Sequence, residues 1–354
     1  MNRESPQTRF AHERQRMIDS LGKLTSGGVI ENMQHIGSTH YCDSLTGSDK
    51  TIDIGISTWP YPLDSERDAT LANLGYQLIW ADSTYHRFTN GSFDLWITEA
   101  GGEFWTQLLL VSEYLTEVHD ARALFVAAKA RIDDSGTQSQ KIDALMDATA
   151  HDAAAWKIKT NGFSELFRQL VPLKALTCPW YVSSGWAIDL FIGRVTRIHH
   201  DLDIAVARQD CLHVQQVMRE SGWEWVTPFQ NRLDPWPPQM RLELPRHQAH
   251  CHREGQMIDF LFSEISEGVW RFRRDPTILR AMERMTLRSE SGAPYLAPEV
   301  LLLFKSKIGP GGIRKRDYAD FIAVRDLMSR DQRAWLRWAL AATSPDHPWI
   351  DALV

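Results

Sequence analysis

The chain has 354 residues, of which 43% are hydrophobic and 24% charged, and its formal net charge is -6. This length exceeds one ordinary compact domain and suits two, each large enough to bury its own core. The negative balance argues against a broad nucleic-acid-binding surface, because phosphate backbones select faces rich in Lys and Arg, although it leaves room for a local basic pocket.

The first residues, MNRESPQTRFAHERQRM, contain no apolar run, so we expect neither a secretory signal nor a membrane span there. No later stretch approaches the roughly 20 apolar residues that a spanning helix needs. The four cysteines form no Cys-x-x-Cys pair, which is typical of reduced thiols. We therefore expect a cytoplasmic protein that does not associate with membranes.

The first half alternates predicted helices and strands. Residues 1–30 are predicted to form a polar amphipathic helix that ends in a Ser-Gly-Gly loop. The segments KTIDIGI and SFDLWIT alternate in polarity as half-buried strands do, whereas FWTQLLLVSEYLTEV and ARALFVAAKARI have helical spacing. The polar run at 133–140 is predicted to be a loop.

The second half repeats this alternation. Strands are predicted at 180–183, 201–206 and 257–262, and helices at 186–192 and 211–220. From Pro298 onward the pattern is helical, with EVLLLFKSKI and ADFIAVRDLM as amphipathic segments and a GPGG loop between them.

Two aspartates in the second half carry the clearest chemical signal. Asp201 and Asp203 lie two apart on a predicted strand, so their carboxylates share one face while Leu202 and Ile204 point to the core. Adjacent carboxylates resist joint ionisation unless a cation lies between them, and Mg²⁺ supplies such a cation while keeping positions open for phosphate oxygens. Alone, an Asp-x-Asp pattern is a weak signal.

Two further features make the pattern more specific. Asp259 lies on a later strand with the same apolar flanks and can act as a third ligand or as a general base. The turn Ser183-Ser184-Gly185, between a strand and a helix, offers N–H groups and hydroxyls to a phosphate tail.

The segment WYVSSGWAIDLFIGRVTRIHHDLDIAV resembles the signature of aminoglycoside nucleotidyltransferase-like proteins, a branch of the polymerase-beta-type nucleotidyltransferase superfamily. That pattern is a Gly-Gly or Gly-Ser turn, a helix, and Asp-x-Asp on a strand; here Ser184 replaces the first turn glycine. The similarity continues through MIDFLF, GVWRFRRDP, PYLAPEVLLLFKSK and RKRDYADF, and covers roughly residues 176–327.

The resemblance implies attack of a substrate hydroxyl on the α-phosphate of a nucleoside triphosphate, ATP by default, with release of pyrophosphate. It implies Mg²⁺ or Mn²⁺ as cofactor, and as acceptor a small hydroxylated molecule such as an aminoglycoside- or lincosamide-type antibiotic. The implied site residues are Asp201, Asp203 and Asp259 for catalysis and metal binding, and Ser184, Gly185, Arg197 and Lys305 for the nucleotide.

The first half resembles the GrpB family, which is placed in the same superfamily. The matching residues are HIGST, Lys50–Ile54 and the helical stretch EYLTEVHDARALFVAAKARI. Because Gly55 stands where a second acid would follow Asp53, we predict no catalysis in this half.

The two resemblances together imply an α+β nucleotidyltransferase fold in two related domains, each a small mixed sheet flanked by helices. We place a GrpB-like domain at 1–158 and a nucleotidyltransferase domain with a helical tail at 159–354. The Asp-bearing strands recur in both halves, with Asp94 as the counterpart of Asp259. This recurrence indicates an internal repeat, although chance explains it nearly as well.

Several other clusters have competing interpretations. RHQAHCHREG, with His247, His250, Cys251 and His252, favours a strand surface or substrate pocket over zinc, since neighbouring strand residues face opposite ways. The tryptophans at 223, 225, 236 and 270 favour core packing over a ring-binding wall.

The remaining charged clusters also have two interpretations each. Arg271 and Arg273 share one face of a strand-like run, and Arg274 lies on the opposite face. These arginines form salt bridges or contact a triphosphate. Lys305 and Lys307 are two apart and cannot share one helix face, so at most one of them reaches the nucleotide and the other is solvated. The Asp317/Asp320 pair is typical of a solvated, charged helix face. His199 and His200 either approach phosphates or are plain loop residues.

Two classes of function remain open on the sequence. The favoured one is an enzyme that transfers a nucleotidyl group to a small hydroxylated acceptor. The alternative is a non-catalytic nucleotide-binding or regulatory protein made of two degenerate copies of the fold. A transferase acting on protein or RNA is disfavoured by the net acidic charge.

Overall fold

The computed structural model describes residues 5–21, 29–36, 51–59, 65–99, 102–129, 131–132, 138–229, 232–253 and 256–354. The chain divides into two compact units, Met1–Thr160 and Asn161–Val354. No helix in the described ranges is long and apolar enough to cross a membrane.

The first unit is a mixed sheet flanked by helices. Its described helices are α1 (Pro6–Leu21), α2 (Ser65–Asn73), α3 (Glu103–Glu117), α4 (His119–Lys129) and α5 (Gln138–Asn161). Its described strands are β1 (Val29–Ile36), β2 (Ile52–Trp59), β3 (Gln77–Ala81), β4 (Tyr85–Thr89) and β5 (Phe93–Glu99). They follow the order β1-β2-β5-β4-β3, with β2 and β5 parallel and the other neighbours antiparallel.

The two faces of β2 have different neighbours. Ile52, Ile54 and Ile56 are buried in a core that includes Met17 of α1 and Leu71 of α2. Gly55 lies on the other face, where a β-carbon would come within 3.0 Å of the Trp105 ring of α3. Helices therefore cover both faces of this strand.

The second unit has more short elements. Its helices are α6 (Ser164–Gln169), α7 (Ser184–Ile192), α8 (Cys211–Glu220), α9 (Met282–Met285), α10 (Pro298–Lys305), α11 (Lys315–Arg325), α12 (Arg330–Thr343) and α13 (Trp349–Ala352). Its main strands are β6 (Trp180–Val182), β7 (Leu202–Ala207), β8 (Glu224–Phe229), β9 (Arg232–Pro235), β10 (Gln248–Arg253) and β11 (Gln256–Ser266). The shorter ones are β12 (Val269–Arg271), β13 (Leu279–Ala281), β14 (Thr286–Arg288), β15 (Pro294–Leu296), β16 (Ile308–Gly309) and β17 (Gly312–Ile313).

The main sheet of this unit has the described order β14-β15-β6-β7-β11-β10-β8-β9, and β12 joins β11 to β13. The central pair β7 and β11 is parallel, while β6 and β10 flank it as antiparallel neighbours. The strands β1, β2, β5 and β4 of the first unit have the same relative orientations. Both units therefore have the mixed-sheet fold that the sequence predicts.

One face of the main sheet builds the core of the second unit. Ile204 and Phe260 are fully buried there, and Trp225 packs edge-on against Trp236 with ring centroids 5.0 Å apart. Trp223 and Trp270 are buried in the same cluster. The packing interpretation of these tryptophans is confirmed.

Most predicted elements match the observed ones, and α8 matches to the residue. The predicted loop at 133–140 is wrong for its last three residues, because α5 already begins at Gln138, and the rest lies outside the described residues. The predicted Ser-Gly-Gly loop at 26–28 also lies outside them. The GPGG segment forms a tight hairpin between β16 and β17.

Candidate active site

The strand register places two of the three candidate acids side by side. Asp203 on β7 is directly opposite Asp259 on the parallel strand β11. Asp201 immediately precedes β7 and is exposed, whereas Asp259 is buried. Leu202 and Ile204, which flank Asp203, point into the core as predicted.

The pKa values of Asp203 and Asp259 are both raised. Burial, together with the neighbouring Asp201 charge, raises the pKa of Asp203 to about 7. Burial and the charges of Asp203 and Asp201 raise the pKa of Asp259 well above its ordinary value. Ionisation of Asp203 and Asp259 is therefore costly, which is the situation that a divalent cation relieves.

The donor set suits a hard cation. Asp259 Oδ1 is buried without a hydrogen-bond partner among the described residues, and carboxylate oxygens are the ligands that Mg²⁺ prefers. In the described part of the chain, however, no three Asp, Glu, His or Cys side chains are grouped closely enough to hold a metal ion. The metal-binding role of Asp201, Asp203 and Asp259 therefore stays a prediction.

The turn before α7 is connected to the acidic strand. The Ser183 backbone N–H donates to the Asp203 carbonyl oxygen over 2.9 Å. Ser184 has a φ of 54°, a left-handed conformation that favours glycine. Its side chain hydrogen-bonds the Asp203 carboxylate, which lowers the pKa of that group against the larger effect of burial. The hydroxyl that was predicted to contact phosphate thus contacts Asp203.

Gly185 is required by close packing. A β-carbon there would overlap Arg197 Nη2 and lie 2.6 Å from His199 Nδ1. Arg197 also lies near enough to lower the pKa of Asp203, and His199 is buried against α7 rather than turned outward to a ligand. The predicted nucleotide contacts Gly185 and Arg197 therefore lie together at the turn.

Lys305 lies at the end of α10 in a buried ion-pair cluster. Its Nζ is 2.8 Å from Asp320 Oδ2 and 3.3 Å from Asp317 Oδ1, and it lowers the pKa of Asp203. The sequence prediction of a solvated face for Asp317 and Asp320 is wrong, because both side chains are buried to hold this lysine. Lys307 lies beyond the helix and is exposed.

A cavity of about 190 Å³ adjoins Asp203 and Ser184. Its cationic lining was only partly foreseen and consists of Arg273, Arg274, Lys305 and Arg314. Burial, followed by the neighbouring Arg274, lowers the pKa of Arg273; burial, followed by Arg314, lowers that of Arg274. Arg273 and Arg274 are solvent-exposed residues whose neighbouring guanidinium groups repel one another, and such a pair suits a multiply charged anion such as a triphosphate.

The arginine pattern differs from the sequence prediction. Arg273 and Arg274 lie in a turn after β12 and both line the cavity, instead of pointing to opposite faces. Arg271 ends β12 and donates to the Pro276 carbonyl oxygen over 3.1 Å. The predicted strand pattern runs three residues beyond the observed end at Arg271, and for that reason it does not show that Arg273 and Arg274 lie on the same side.

The histidine cluster follows strand alternation. His250 lies opposite Asp259, with Nδ1 3.5 Å from Oδ1, while Cys251 is buried in the core on the other face. Burial lowers the pKa of His250 to about 4, so an uncharged imidazole stands beside the acid at neutral pH. His247 lines the cavity that adjoins Asp203.

Family models match both halves of the chain. Residues 165–291 match the model of aminoglycoside-2''-adenylyltransferase, and residues 3–151 match that of GrpB protein. The chain joins a GrpB-type domain to an adenylyltransferase-like nucleotidyltransferase domain. Its second half is thus an enzyme domain of the nucleotidyltransferase class.

Solved structures of this class show similarity to parts of the chain. The lincosamide antibiotic adenylyltransferase LnuA, with lincomycin bound, is 17% identical and covers 47% of this chain and 97% of its own, with a TM-score of 0.35. The ANT(2'')-Ia complex with adenylyl-2''-tobramycin is 12% identical over 51% of this chain and 98% of its own, with a TM-score of 0.37.

GrpB from Enterococcus faecalis is 17% identical over 43% of this chain and 93% of its own, with a TM-score of 0.34. A comparison with curated proteins finds no match.

Proposed function

We propose that the nucleotidyltransferase domain transfers a nucleoside monophosphate, AMP from ATP, to a hydroxyl of a small molecule of the aminoglycoside or lincosamide kind. The observation that carries the proposal is that Asp203, which is paired with Asp259 on the neighbouring strand, lines the basic cavity. Acids for metal binding and proton transfer and cations for phosphates are both needed for this reaction, and they lie on one face of one sheet.

The roles follow from the positions. Asp201 and Asp203 would hold Mg²⁺ or Mn²⁺, which when bound neutralises charge on the phosphates. The cavity arginines, Arg273 and Arg274, orient the triphosphate so that its α-phosphorus faces the acids. Lys305 adds a positive charge near Asp203 while staying paired with its two aspartates.

The covalent step is a single displacement. The acceptor oxygen forms a bond to the α-phosphorus, and the bond from that phosphorus to the leaving pyrophosphate oxygen breaks. Asp259 takes the hydroxyl proton, as a general base must lie within hydrogen-bond reach of the proton that it removes. The products are the nucleotidylated acceptor and pyrophosphate.

The GrpB-type domain is proposed to have no transferase activity, and the domain boundary is proposed at 158/159. Support comes from the ion pairing of its own acids, since Asp94 forms a salt bridge with Arg87. Because Arg87 already neutralises Asp94, less negative charge remains in this domain to attract a metal ion.

The direct test measures pyrophosphate release by the protein in the presence of Mg²⁺. ATP, GTP, CTP and UTP are each supplied as the nucleotide, with a panel of aminoglycosides and lincosamides as acceptors. We expect one acceptor class to support turnover and Asp201→Ala to abolish it. Nucleotide binding without pyrophosphate release for every pair would favour the non-catalytic alternative. Release that survives Asp201→Ala unchanged would contradict the proposed site.

A further inference from the structure

The loop between α7 and β7 is tied to the middle of α7 by one buried carboxylate. Asp189 is 1% exposed and accepts three hydrogen bonds from this loop. The donors are the Thr196 backbone N–H at 3.1 Å, the Thr196 hydroxyl at 2.5 Å and His199 Nε2 at 2.6 Å. Both ends of the segment from Thr196 to His199 are thus joined to a single side chain.

The imidazole of His199 is held on its other sides as well. Its side chain is 2% exposed, and its ring lies against Trp186 with centroids 4.2 Å apart. Nδ1 and Cε1 face the Cα of Gly185, where there is no space for even one β-carbon. The ring therefore joins the loop to the first turn of α7 as well as to its centre.

This clamped segment leads directly into the acidic site. Arg197 lies inside it, and Asp201 follows two residues after His199. Both groups act electrostatically on Asp203, Asp201 raising its pKa and Arg197 lowering it. Asp201 is itself exposed, so its position depends on the backbone that leads to it.

We propose that Asp189 is a positioning residue of the transferase site. Through Thr196 and His199 it holds residues 194–201 against α7, so that Asp201 and Arg197 face Asp203 beside the Ser184-Gly185 turn. It touches neither substrate nor metal in this role. The site that it serves rests on the proposed function, whereas the clamp itself is testable without turnover.

Hydrogen-bond chemistry separates positioning from charge. Asn at 189 can accept from His199 and the Thr196 N–H through Oδ1, while its amide donates to the Thr196 hydroxyl, which can also accept. Val at 189 has a similar shape but leaves all three loop donors without a partner. Asp189→Asn is therefore expected to preserve the clamp and Asp189→Val to release it.

The experiment compares these two variants in the full chain by amide hydrogen exchange and by turnover. In Asp189→Val we expect exchange over residues 194–201 to be on the order of tenfold faster. We expect kcat to fall roughly 100-fold with a smaller change in KM for the nucleotide, because misplacement of about 1 Å has that effect on reacting groups. Asp189→Asn should stay within about threefold of the parent in both measurements.

Glu299→Ala is the matched control. Glu299 is another fully buried carboxylate of the same unit, paired with Arg280 instead of with the loop. It should lower the unfolding temperature and leave exchange over 194–201 unchanged. A kcat loss in Asp189→Asn as large as that in Asp189→Val would overturn the proposal, and so would unchanged loop exchange in Asp189→Val. Absence of turnover in the parent chain would instead contradict the proposed function, and the exchange result would still decide the clamp.

Discussion

Each of the two units carries a pair of aspartates at the corresponding place in its own sheet. Asp53 is opposite Asp94 on parallel strands in the first unit, as Asp203 is opposite Asp259 in the second. In both units an antiparallel strand precedes the pair in the sheet order and another follows it. The internal repeat that the sequence only hinted at is therefore supported by strand register.

The surroundings of the two pairs differ. In the first unit, Arg87 lies 2.5 Å from Asp94 and over the Trp96 ring, and Trp96 Nε1 donates to Asp53 over 3.1 Å. In the second unit, no Lys or Arg among the described residues forms a salt bridge with Asp203 or Asp259, and a basic cavity adjoins them. In the first unit Arg87 neutralises the charge of the aspartate pair. In the second unit a bound cation would have to do so.

The register also corrects the sequence alignment of the two acidic strands. Asp53 corresponds to Asp203, so the first unit keeps the second acid and has Thr51 in the position of Asp201. Gly55 does not stand in place of a second acid, because its position is packed against Trp105 and has no space for a carboxylate side chain. A single sequence cannot show this, since pairing across the sheet sets the correspondence.

The largest expected effect separates the corresponding aspartates. Asp203→Asn should reduce nucleotidyl transfer by on the order of 1,000-fold, because it removes a carboxylate from the metal and proton-transfer centre. Asp53→Asn should leave transfer within about twofold, since Asn still accepts from Trp96 Nε1. Initial rates of pyrophosphate release measure both, and equal losses would remove the distinction between the units.

Two glycines provide the next comparison. Gly185→Ala should reduce kcat roughly 100-fold, because the added carbon displaces Arg197 and the clamped His199 ring. Gly55→Ala should leave kcat unchanged and destabilise the first unit by about 1 kcal/mol through its contact with Trp105. Kinetics and urea unfolding test the pair; full activity in Gly185→Ala would show that the turn tolerates displacement.

Removal of the internal cation should affect only the first unit. Arg87→Met leaves Asp94 largely buried and unpaired, so we expect a loss of about 2 kcal/mol in its unfolding free energy. In the double variant with Asp94→Asn, most of that loss should disappear because no unpaired charge remains at position 94. Urea unfolding of the four chains of this cycle measures the coupling, and strictly additive effects would argue against the ion pair as the neutralising element.

The smallest effect is a pH dependence of the second unit. Buried His347 donates from Nε2 to the Ser306 carbonyl oxygen, so its Nδ1 must accept from the Trp349 N–H. Burial lowers the pKa of His347 in the folded chain. As the pH falls, the imidazole is therefore protonated more readily in the unfolded chain, and stability is lost below about pH 6.5. Burial of Asp53 in the first unit raises its pKa, which gives the opposite sign.

His347→Asn should reduce the pH dependence of the second unit by at most about 1.4 kcal/mol per pH unit. Thermal unfolding between pH 7.5 and 5.5, variant against parent, provides the measurement. An unchanged slope would mean that His347 does not titrate on unfolding.

The sequence predicted the parts of the site that are local in the chain. Ser184, Gly185, Arg197, Asp201 and Asp203 fall in one short motif, so their proximity needs only a turn, a helix and a strand. The pairing of Asp259 with Asp203 was predicted from the family resemblance and appears in the register.

Residues that depend on tertiary packing were missed or misjudged. Asp189 reads as one polar residue in an apolar helix, and nothing in its spacing shows that a loop folds back onto it. Arg314 and the buried pair Asp317 and Asp320 look like ordinary helix-surface charges until α10 places Lys305 against them. Long-range contacts decide such cases, and amphipathic periodicity does not encode them.

The parallel pairing of β7 with β11 has a consequence for how the molecule acquires its site. The chain must form α8, β8, β9 and β10 between the two strands, because a parallel pair cannot be closed by a hairpin. Contacts so distant in the chain are slow to form, because the entropy of loop closure must be overcome before they contribute any stability. We therefore expect newly made or partly folded chains to hold Asp203 and Asp259 apart, so that the acidic centre exists only once the sheet is complete.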